Sequence, residues 1–268
     1  MYTCPKCKAP LIKNNGSLRC ASGHSFDISA SGYVNLLLGS KTGNHGDSKE
    51  MIRARRDFLE LGYYSPIINT VADILHQKFP NKQISVLDTG CGEGYYTERI
   101  RTALENPIIY GLDVSKDAIV YAAKRYKNID FCVASNNALP FDDNSFDAIL
   151  SLFAPLCEQE FARVLKPGGI LITVSPSENH LFGLKKAIYS TPYKNPPSTF
   201  VPEILKKTEE KSYEWSIALS DSKTVRDLFM MTPYYHKSSP QDIEKALKLT
   251  SVNTEIGFTF CVYEKCAE

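Results

Sequence analysis

Apolar positions recur along this chain with two periods, and their alternation lays out the elements. Met51, Ala54, Phe58 and Leu61 follow at helical spacing, which predicts a helix with one apolar face that Gly62 ends. Asp47, with Glu50 three residues later, has the form of a capping box for it. Ser65-Pro66 predicts a second helix, with serine as cap and proline in the first turn, running towards Phe79. Short apolar runs then alternate with helical stretches. The pattern predicts a strand at Ile84–Asp88, a helix from Tyr95 to about Leu104, a strand at 108–113, a helix at 116–126, strands at 129–134 and 146–150, a helix at 157–165 and a strand at 170–175. Such alternation belongs to an α/β fold, a parallel sheet with crossover helices. Helices near 221–231 and 240–249 and a final hairpin over about 252–264 add an antiparallel edge. Residues 189–220, rich in proline and tyrosine, predict a loop-rich insertion, read equally well as a substrate wall and as a surface connection.

The 268 residues suffice for one full α/β domain and a small extra module. The division expected is a ribbon at 1–38, a linker and helical connection at 39–80, and the main domain at 81–268. Residues 39–47, rich in Gly, Asn and Lys, read as a flexible link. No apolar run approaches the roughly 18 residues of a membrane span and no signal-peptide pattern opens the chain, so the expectation is a cytoplasmic protein without a membrane partner. Four of the eight cysteines, Cys132, Cys157, Cys261 and Cys266, are scattered and read as core or incidental thiols. The net charge of +1 hides an asymmetry: residues 1–60 hold nine Lys or Arg against five Asp or Glu, which leaves +4 there and −3 in the rest. A basic front end suits a polyanion partner, and solvated surface charge explains it equally well.

Cys4-Pro5-Lys6-Cys7, then Cys20 and His24, give the spacing C-x2-C-x12-C-x3-H. Three thiolates and one imidazole close a tetrahedral shell and leave no position for substrate or water, which predicts a structural Zn2+. Too few large apolar groups surround them to hold the first 30 or so residues together, so the metal supplies folding free energy. Lys6, Lys8, Lys13 and Arg19 lie on or between the ligand turns, and Arg53, Arg55 and Arg56 project from the first helix. Both sets are read as RNA contacts, against the plainer readings of a scaffold and a wet helix face.

The run Val86-Leu87-Asp88-Thr89-Gly90-Cys91-Gly92-Glu93-Gly94, with Asp113 following 19 residues later, is the most informative stretch. A strand ending in an acid, a glycine turn, a helix and a second strand ending in a carboxylate make a site for an adenosyl ligand. Ligands in such sheets sit outside the carboxyl ends of the strands. That rule gathers Asp88, Gly90, Gly92, Glu93, Gly94, Asp113, Ser135, Asn136, Phe153 and Pro155 around one crevice.

The order of these motifs, with Leu139-Pro140-Phe141 and Leu165-Lys166-Pro167-Gly168-Gly169, resembles the Rossmann-like class I S-adenosyl-L-methionine (SAM)-dependent methyltransferases. The zinc pattern, Gly32-Tyr33-Val34-Asn35-Leu36, Gly46-Asp47-Ser48 with Glu50-Met51 and Ala54-Arg55-Arg56, Cys91 to Thr97, Gly111 to Lys116 and Met231-Thr232-Pro233 resemble one family within it over nearly the whole length. These are the 23S rRNA (guanine-N1)-methyltransferases of the RlmA type. The resemblance implies zinc on Cys4, Cys7, Cys20 and His24, and SAM contacts from Tyr64, Gly92, Glu93 and His180, with Asp113 added from the general fold. Taken without it, Tyr64 and His180 read as packing residues. It also implies 23S rRNA as partner, through a hairpin of domain II, and a homodimer forming the RNA-binding cleft. Ser135-Asn136 stand where many relatives of the wider class carry an acid for the adenine amino group. Guanine N1 carries a proton that a carboxylate or histidine must remove. Asp27, Asp47 and Glu50 are candidates, each with a plain alternative as a ribbon or helix cap. Tyr33, Phe153 or Tyr234 could stack on the target base, or serve as core. The competing readings are a small-molecule or other RNA methyltransferase and a non-catalytic RNA-binding adaptor.

Overall fold

A computed structural model describes residues 2–39 and 48–266. The chain opens with three short strands, β1 (Ile12–Asn14), β2 (Ser17–Arg19) and β3 (Ser25–Asp27), paired antiparallel as a small sheet. Next come β4 (Val34–Asn35), α1 (Lys49–Leu59), α2 (Ser65–Lys78), β5 (Ser85–Thr89), α3 (Tyr95–Ala103), β6 (Ile108–Asp113), α4 (Lys116–Arg125), β7 (Asp130–Val133) and β8 (Phe146–Leu152). The chain closes with α5 (Glu158–Val164), β9 (Leu165–Pro176), α6 (Phe182–Ile188), β10 (Lys206–Leu219), α7 (Ser222–Met230), α8 (Tyr234–Lys237), α9 (Pro240–Lys248) and β11 (Val252–Glu264).

The main sheet runs β10-β11-β9-β8-β5-β6-β7-β4, with β10 and β11 antiparallel and the rest parallel. From β5 the chain first builds outward through β6 and β7, then returns to place β8 on the other side of β5. The order therefore reverses at β5, and the carboxyl ends of β5, β6 and β8 frame the crevice where such folds bind ligands. Every residue of β5 and of β8 is buried, which is why both are rich in apolar residues, with Val86-Leu87 in one and Ala148-Ile149-Leu150 in the other.

The ribbon shares a core with this sheet. Thr3 N–H donates to Pro140 O at 2.9 Å, Tyr2 stacks on Phe141 with ring centroids 5.1 Å apart, and Val34 pairs in parallel with Cys132. At the amino end of the sheet, Asp147 accepts from Lys82 and Lys166, both at 2.7 Å, and from Ser85 N–H at 2.9 Å. Burial opposes its charge, but these donors win and hold the carboxyl well below the usual range.

Several sequence expectations change. The final hairpin over 252–264 is one continuous strand, β11, paired with β10 along its whole length. Gly257 sits inside it because a Cβ would collide with the Ser177 side chain, and no turn forms there. The loop-rich insertion at 189–220 accordingly gives up 206–219 to β10. Trp215, Ile217 and Leu219 alternate there with the exposed Glu214, Ser216 and Ala218, and Lys206, Lys207, Glu209, Glu210 and Lys211 charge the edge, as edge strands require. Ser65 does not cap α2: Tyr64 holds the cap position, and Ser65 is the first helical residue. The Asp47 cap and the link at 40–47 lie outside the described residues. Ser48 caps α1, its hydroxyl accepting from Met51 N–H at 3.3 Å.

Candidate functional site

In the ribbon, two tight turns bring four side chains together. Lys8 N–H bonds back to Cys4 O at 2.7 Å, and Gly23 N–H bonds back to Cys20 O at 3.0 Å. Both turns need a residue at positive φ, supplied by Lys8 (+61°) and Gly23 (+83°). The ligand atoms of Cys4, Cys7, Cys20 and His24 all lie within 4.8 Å of one another. His24 Nδ1 is 3.5 Å from Cys4 Sγ and 3.4 Å from Cys20 Sγ, and Cys7 Sγ is 3.7 Å from Cys20 Sγ. A zinc tetrahedron with Zn–S of about 2.3 Å and Zn–N of about 2.0 Å has S···S edges of about 3.8 Å and S···N edges of about 3.5 Å. The donors fit that ion. The Cys7 thiol is lowered to about 6, chiefly by a hydrogen bond from the Ala9 backbone and then by Ser22 and His24, which favours the thiolate a metal needs.

At the carboxyl end of β5 the glycine turn is held from below. Gly90 and Cys91 N–H both donate to Leu112 O, at 2.7 and 2.9 Å. Gly90, Gly92 and Gly94 all have positive φ, and a Cβ on Gly90 would sit 2.5 Å from that of Ala154. Asp88 is buried beneath the turn, accepts from Thr97 Oγ1 at 2.5 Å, and is pushed up to about 7 by burial. Asp113 ends β6 and accepts from Gly92 N–H at 2.9 Å and Ser115 N–H at 2.7 Å, one on each oxygen. The carboxylate is thus fixed at the crevice, with lone pairs left for hydroxyl donors. Val114, 44% exposed, follows it and offers an apolar surface to a planar ring. Ser135 and Asn136 lie past the end of β7, half-buried; Asn136 Nδ2 donates to Pro155 O at 2.9 Å, which ties that turn to the end of β8.

Tyr64 and His180 meet although 116 residues separate them: Tyr64 Oη lies 3.3 Å from His180 Nε2. Gly257 N–H donates to His180 Nδ1 at 3.2 Å, so the ring proton sits on Nε2 and points to the tyrosine oxygen. Burial, and secondarily the Lys185 charge, pushes His180 down to about 3. It is neutral, and its lone-pair nitrogen is already occupied. Asn195 fixes this loop, its amide donating to His180 O at 2.9 Å and Ser177 O at 3.0 Å. Its Oδ1 accepts from Lys185 Nζ at 2.6 Å and Tyr234 Oη at 2.9 Å. Lys185, itself buried, is lowered to about 8 by that burial. The insertion therefore supplies a buried residue that braces the His180 loop.

Sequence reasoning missed Asn195, Gly257 and the place of Arg55. Arg55 Nη1 lies 3.8 Å from where a Gly92 Cβ would stand, and its Nη2 donates to Met231 O at 3.2 Å. It belongs to the glycine turn. Spacing cannot reveal such long-range backbone contacts, although Arg55 and Met231-Thr232-Pro233 both stood out in the sequence. Of the candidate bases, Asp27 is exposed on the ribbon, Glu50 is exposed in the first turn of α1, and Asp47 is outside the described residues. Of the candidate stacking groups, Tyr33 is buried and Tyr234 half-buried. Phe153 is 44% exposed and holds φ at +60°, a rare conformation for an aromatic residue, with its ring 5.4 Å from that of Phe258. An open cleft of about 650 Å3 runs beside the carboxyl ends of β8 and β9, between Leu156, Ser175 and Pro176 and the segment 196–201.

Residues 80–224 match a family model described as a methyltransferase domain, and residues 2–39 match one described as RlmA, N-terminal. YxjB of Bacillus subtilis strain 168, whose name gives a 23S rRNA (guanine-N(1)-)-methyltransferase, is 33% identical over 92% of this chain and 91% of its own. The 23S rRNA (guanine(748)-N(1))-methyltransferase of Streptomyces fradiae is 35% identical over 69% of this chain and 66% of its own. A demethylmenaquinone methyltransferase of Bacillus licheniformis is 32% identical over only 40% of this chain and 51% of its own.

Proposed function

This chain belongs to the family of 23S rRNA (guanine-N1)-methyltransferases, and from that premise we propose that it transfers a methyl group from SAM to guanine N1 in 23S rRNA, at an unpaired base of a domain II hairpin loop. The observation that carries the reading is the union of a closed zinc ribbon with the Asp113, Tyr64 and His180 crevice in one molecule. Small-molecule methylation is the weaker reading, because the demethylmenaquinone methyltransferase relatives match 36% to 59% of the chain, against 92% for YxjB. We infer the division 1–38, 39–80 and 81–268, a cytoplasmic location and a homodimer on the same family grounds.

When bound, SAM supplies an electrophilic sulfonium methyl. The residues present fit it: Asp113 would accept from ribose hydroxyls, Ser135 and Asn136 would border the adenine, Gly90 and Gly94 shape the turn, and the backbone at Gly92 and Glu93 would lie against the ligand. Asp88 braces the turn from beneath. Tyr64 and His180 close the far side of the crevice as neutral hydrogen-bonding groups. His180 does not take the guanine proton, since Gly257 N–H occupies its acceptor nitrogen. Its role is to orient Tyr64. N1 lies on the Watson–Crick edge, so the base must be unpaired or extruded. The cleft beside β8 and β9 gives it room, and the exposed Phe153 ring offers a stacking face. Alignment of N1 with the methyl supplies much of the acceleration.

The test is to incubate the protein with SAM and a domain II transcript and to map reverse-transcriptase stops. A new stop at a loop guanine is expected, because an N1 methyl blocks pairing. Folded RNA and bound SAM with no stop anywhere in the transcript would overturn the domain II assignment.

A further inference from the structure

Helices α1 and α4 face each other across the Gly92–Gly94 turn and leave a groove of about 260 Å3. Arg53 and Arg56 line one wall, Tyr121, Lys124 and Arg125 the other, and Glu93 forms the floor. The charges are unevenly satisfied. Arg56 pairs with Asp57 at 2.6 Å and Arg125 with Glu60 at 2.5 Å. Arg53 and Lys124 are exposed and have no ion pair among the described residues.

The floor carries a second, independent mark. Glu93 is only 5% exposed, and its Oε1 has no hydrogen-bond partner. A buried polar atom left without a partner costs roughly 1–3 kcal/mol, so the groove is built for something that supplies one. The occupant must bring anionic oxygens for Arg53 and Lys124 and a hydrogen-bond donor for the buried Glu93 carboxyl oxygen. A ribose–phosphate chain brings both along one strand, phosphate oxygens and 2′-hydroxyl donors, whereas a DNA backbone brings the phosphates without the 2′-hydroxyl.

We propose that this groove binds the ribose–phosphate backbone of the RNA substrate, with Arg53 and Lys124 on phosphate oxygens and Glu93 Oε1 accepting from a ribose 2′-hydroxyl. The proposal rests on the RNA methyltransferase reading and adds where the strand is held. The same helix that carries Arg53 into the groove sets Arg55 against the Gly92 turn, so RNA bound here lies beside the methyl donor. It also divides the labour of Glu93, whose backbone belongs to the cofactor turn and whose carboxyl belongs to the groove.

The test measures binding of a fluorescent domain II transcript over a range of KCl concentrations, with SAM affinity by calorimetry and methylation in parallel. For the Arg53→Gln/Lys124→Gln double variant, RNA affinity is expected to fall about tenfold or more, and the log–log salt slope to shrink by about 1.5 to 2, one contact per cation. SAM affinity stays at the wild-type value. Unchanged RNA binding and slope overturn the groove, and so does a loss confined to SAM affinity, which would give it to the cofactor. A Glu93→Leu variant should discriminate several-fold less between the RNA and a DNA competitor of the same sequence; an undiminished preference overturns the hydroxyl contact. RNA bound with this salt dependence yet never methylated defeats the proposed reaction and leaves the groove. Methylation by the wild type, with binding unaltered in the double variant, does the reverse.

Discussion

The zinc cluster and the cofactor crevice are both polar sites in one small protein, yet they are built in opposite ways. The cluster is four side chains turned inward, with three donor–donor edges of 3.4 to 3.7 Å and every donor within 4.8 Å of the rest, as one ion requires. The crevice is mostly backbone and missing side chains: glycines at positive φ, two amides on Asp113, and a histidine neutralised by burial. A structural site closes on itself, whereas a binding site holds its polar groups in place and leaves part of their capacity aimed outward.

Substitutions at the two sites should therefore fail differently. The largest effect is expected at the metal. Cys20→Ser, or a strong chelator, removes binding free energy of the order of 10–16 kcal/mol from the ribbon. Because Tyr2 and Val34 are anchored in the main sheet, thermal stability of the whole chain should drop by many degrees, with one zinc lost per chain. An unmoved melting temperature would mean that the ribbon folds without its ion.

Next comes Gly92→Val. A β-branched residue at φ +57° is strained, and its side chain would press towards Arg55 and the ligand face. SAM affinity should fall by about 100-fold or more with zinc content untouched; wild-type affinity by calorimetry would place the cofactor elsewhere. Asp113→Asn keeps the shape but loses a charged acceptor, worth about 1.5–3 kcal/mol, so a 10- to 100-fold weaker SAM affinity is expected. The measurement is the same titration, and a loss below twofold would count against ribose recognition.

The smallest effect near neutral pH is in pH dependence, which grows only as pH falls. His180 is near 3 in the folded chain against about 6.5 unfolded, so its contribution to stability is present above pH 6.5 and lost as pH falls towards 3. Asp88, raised to about 7, acts in the opposite sense, its contribution being lost as pH rises towards 7, so the comparison must be between variants. Relative to His180→Gln, the wild type should lose up to about 1.4 kcal/mol per pH unit below 6.5 in urea titrations. Parallel curves would show that His180 is not buried neutral.

The same contrast explains what was legible in advance. Ligand spacing gave the zinc site outright, and short apolar-rich runs located β5, β6 and β8 to within two residues, because strands in the middle of a parallel sheet bury most of their side chains. The 14-residue strand β10 was invisible because it lies at an edge: one face is charged, and the prolines before it suggested a loop. Its partner β11, expected as a hairpin, is one strand, and Gly257 within it lets Ser177 and the His180 loop approach. Tyr64 and His180 were named only through family resemblance. Nothing local marks a tyrosine and a histidine 116 residues apart as a pair.

The most direct test of the account is to supply SAM carrying a labelled methyl group to unmodified 23S rRNA, digest the product to nucleosides and identify the labelled one. The account predicts 1-methylguanosine as the labelled product, lost in Gly92→Val. Label in any other nucleoside, or none in RNA with SAM bound, would contradict it.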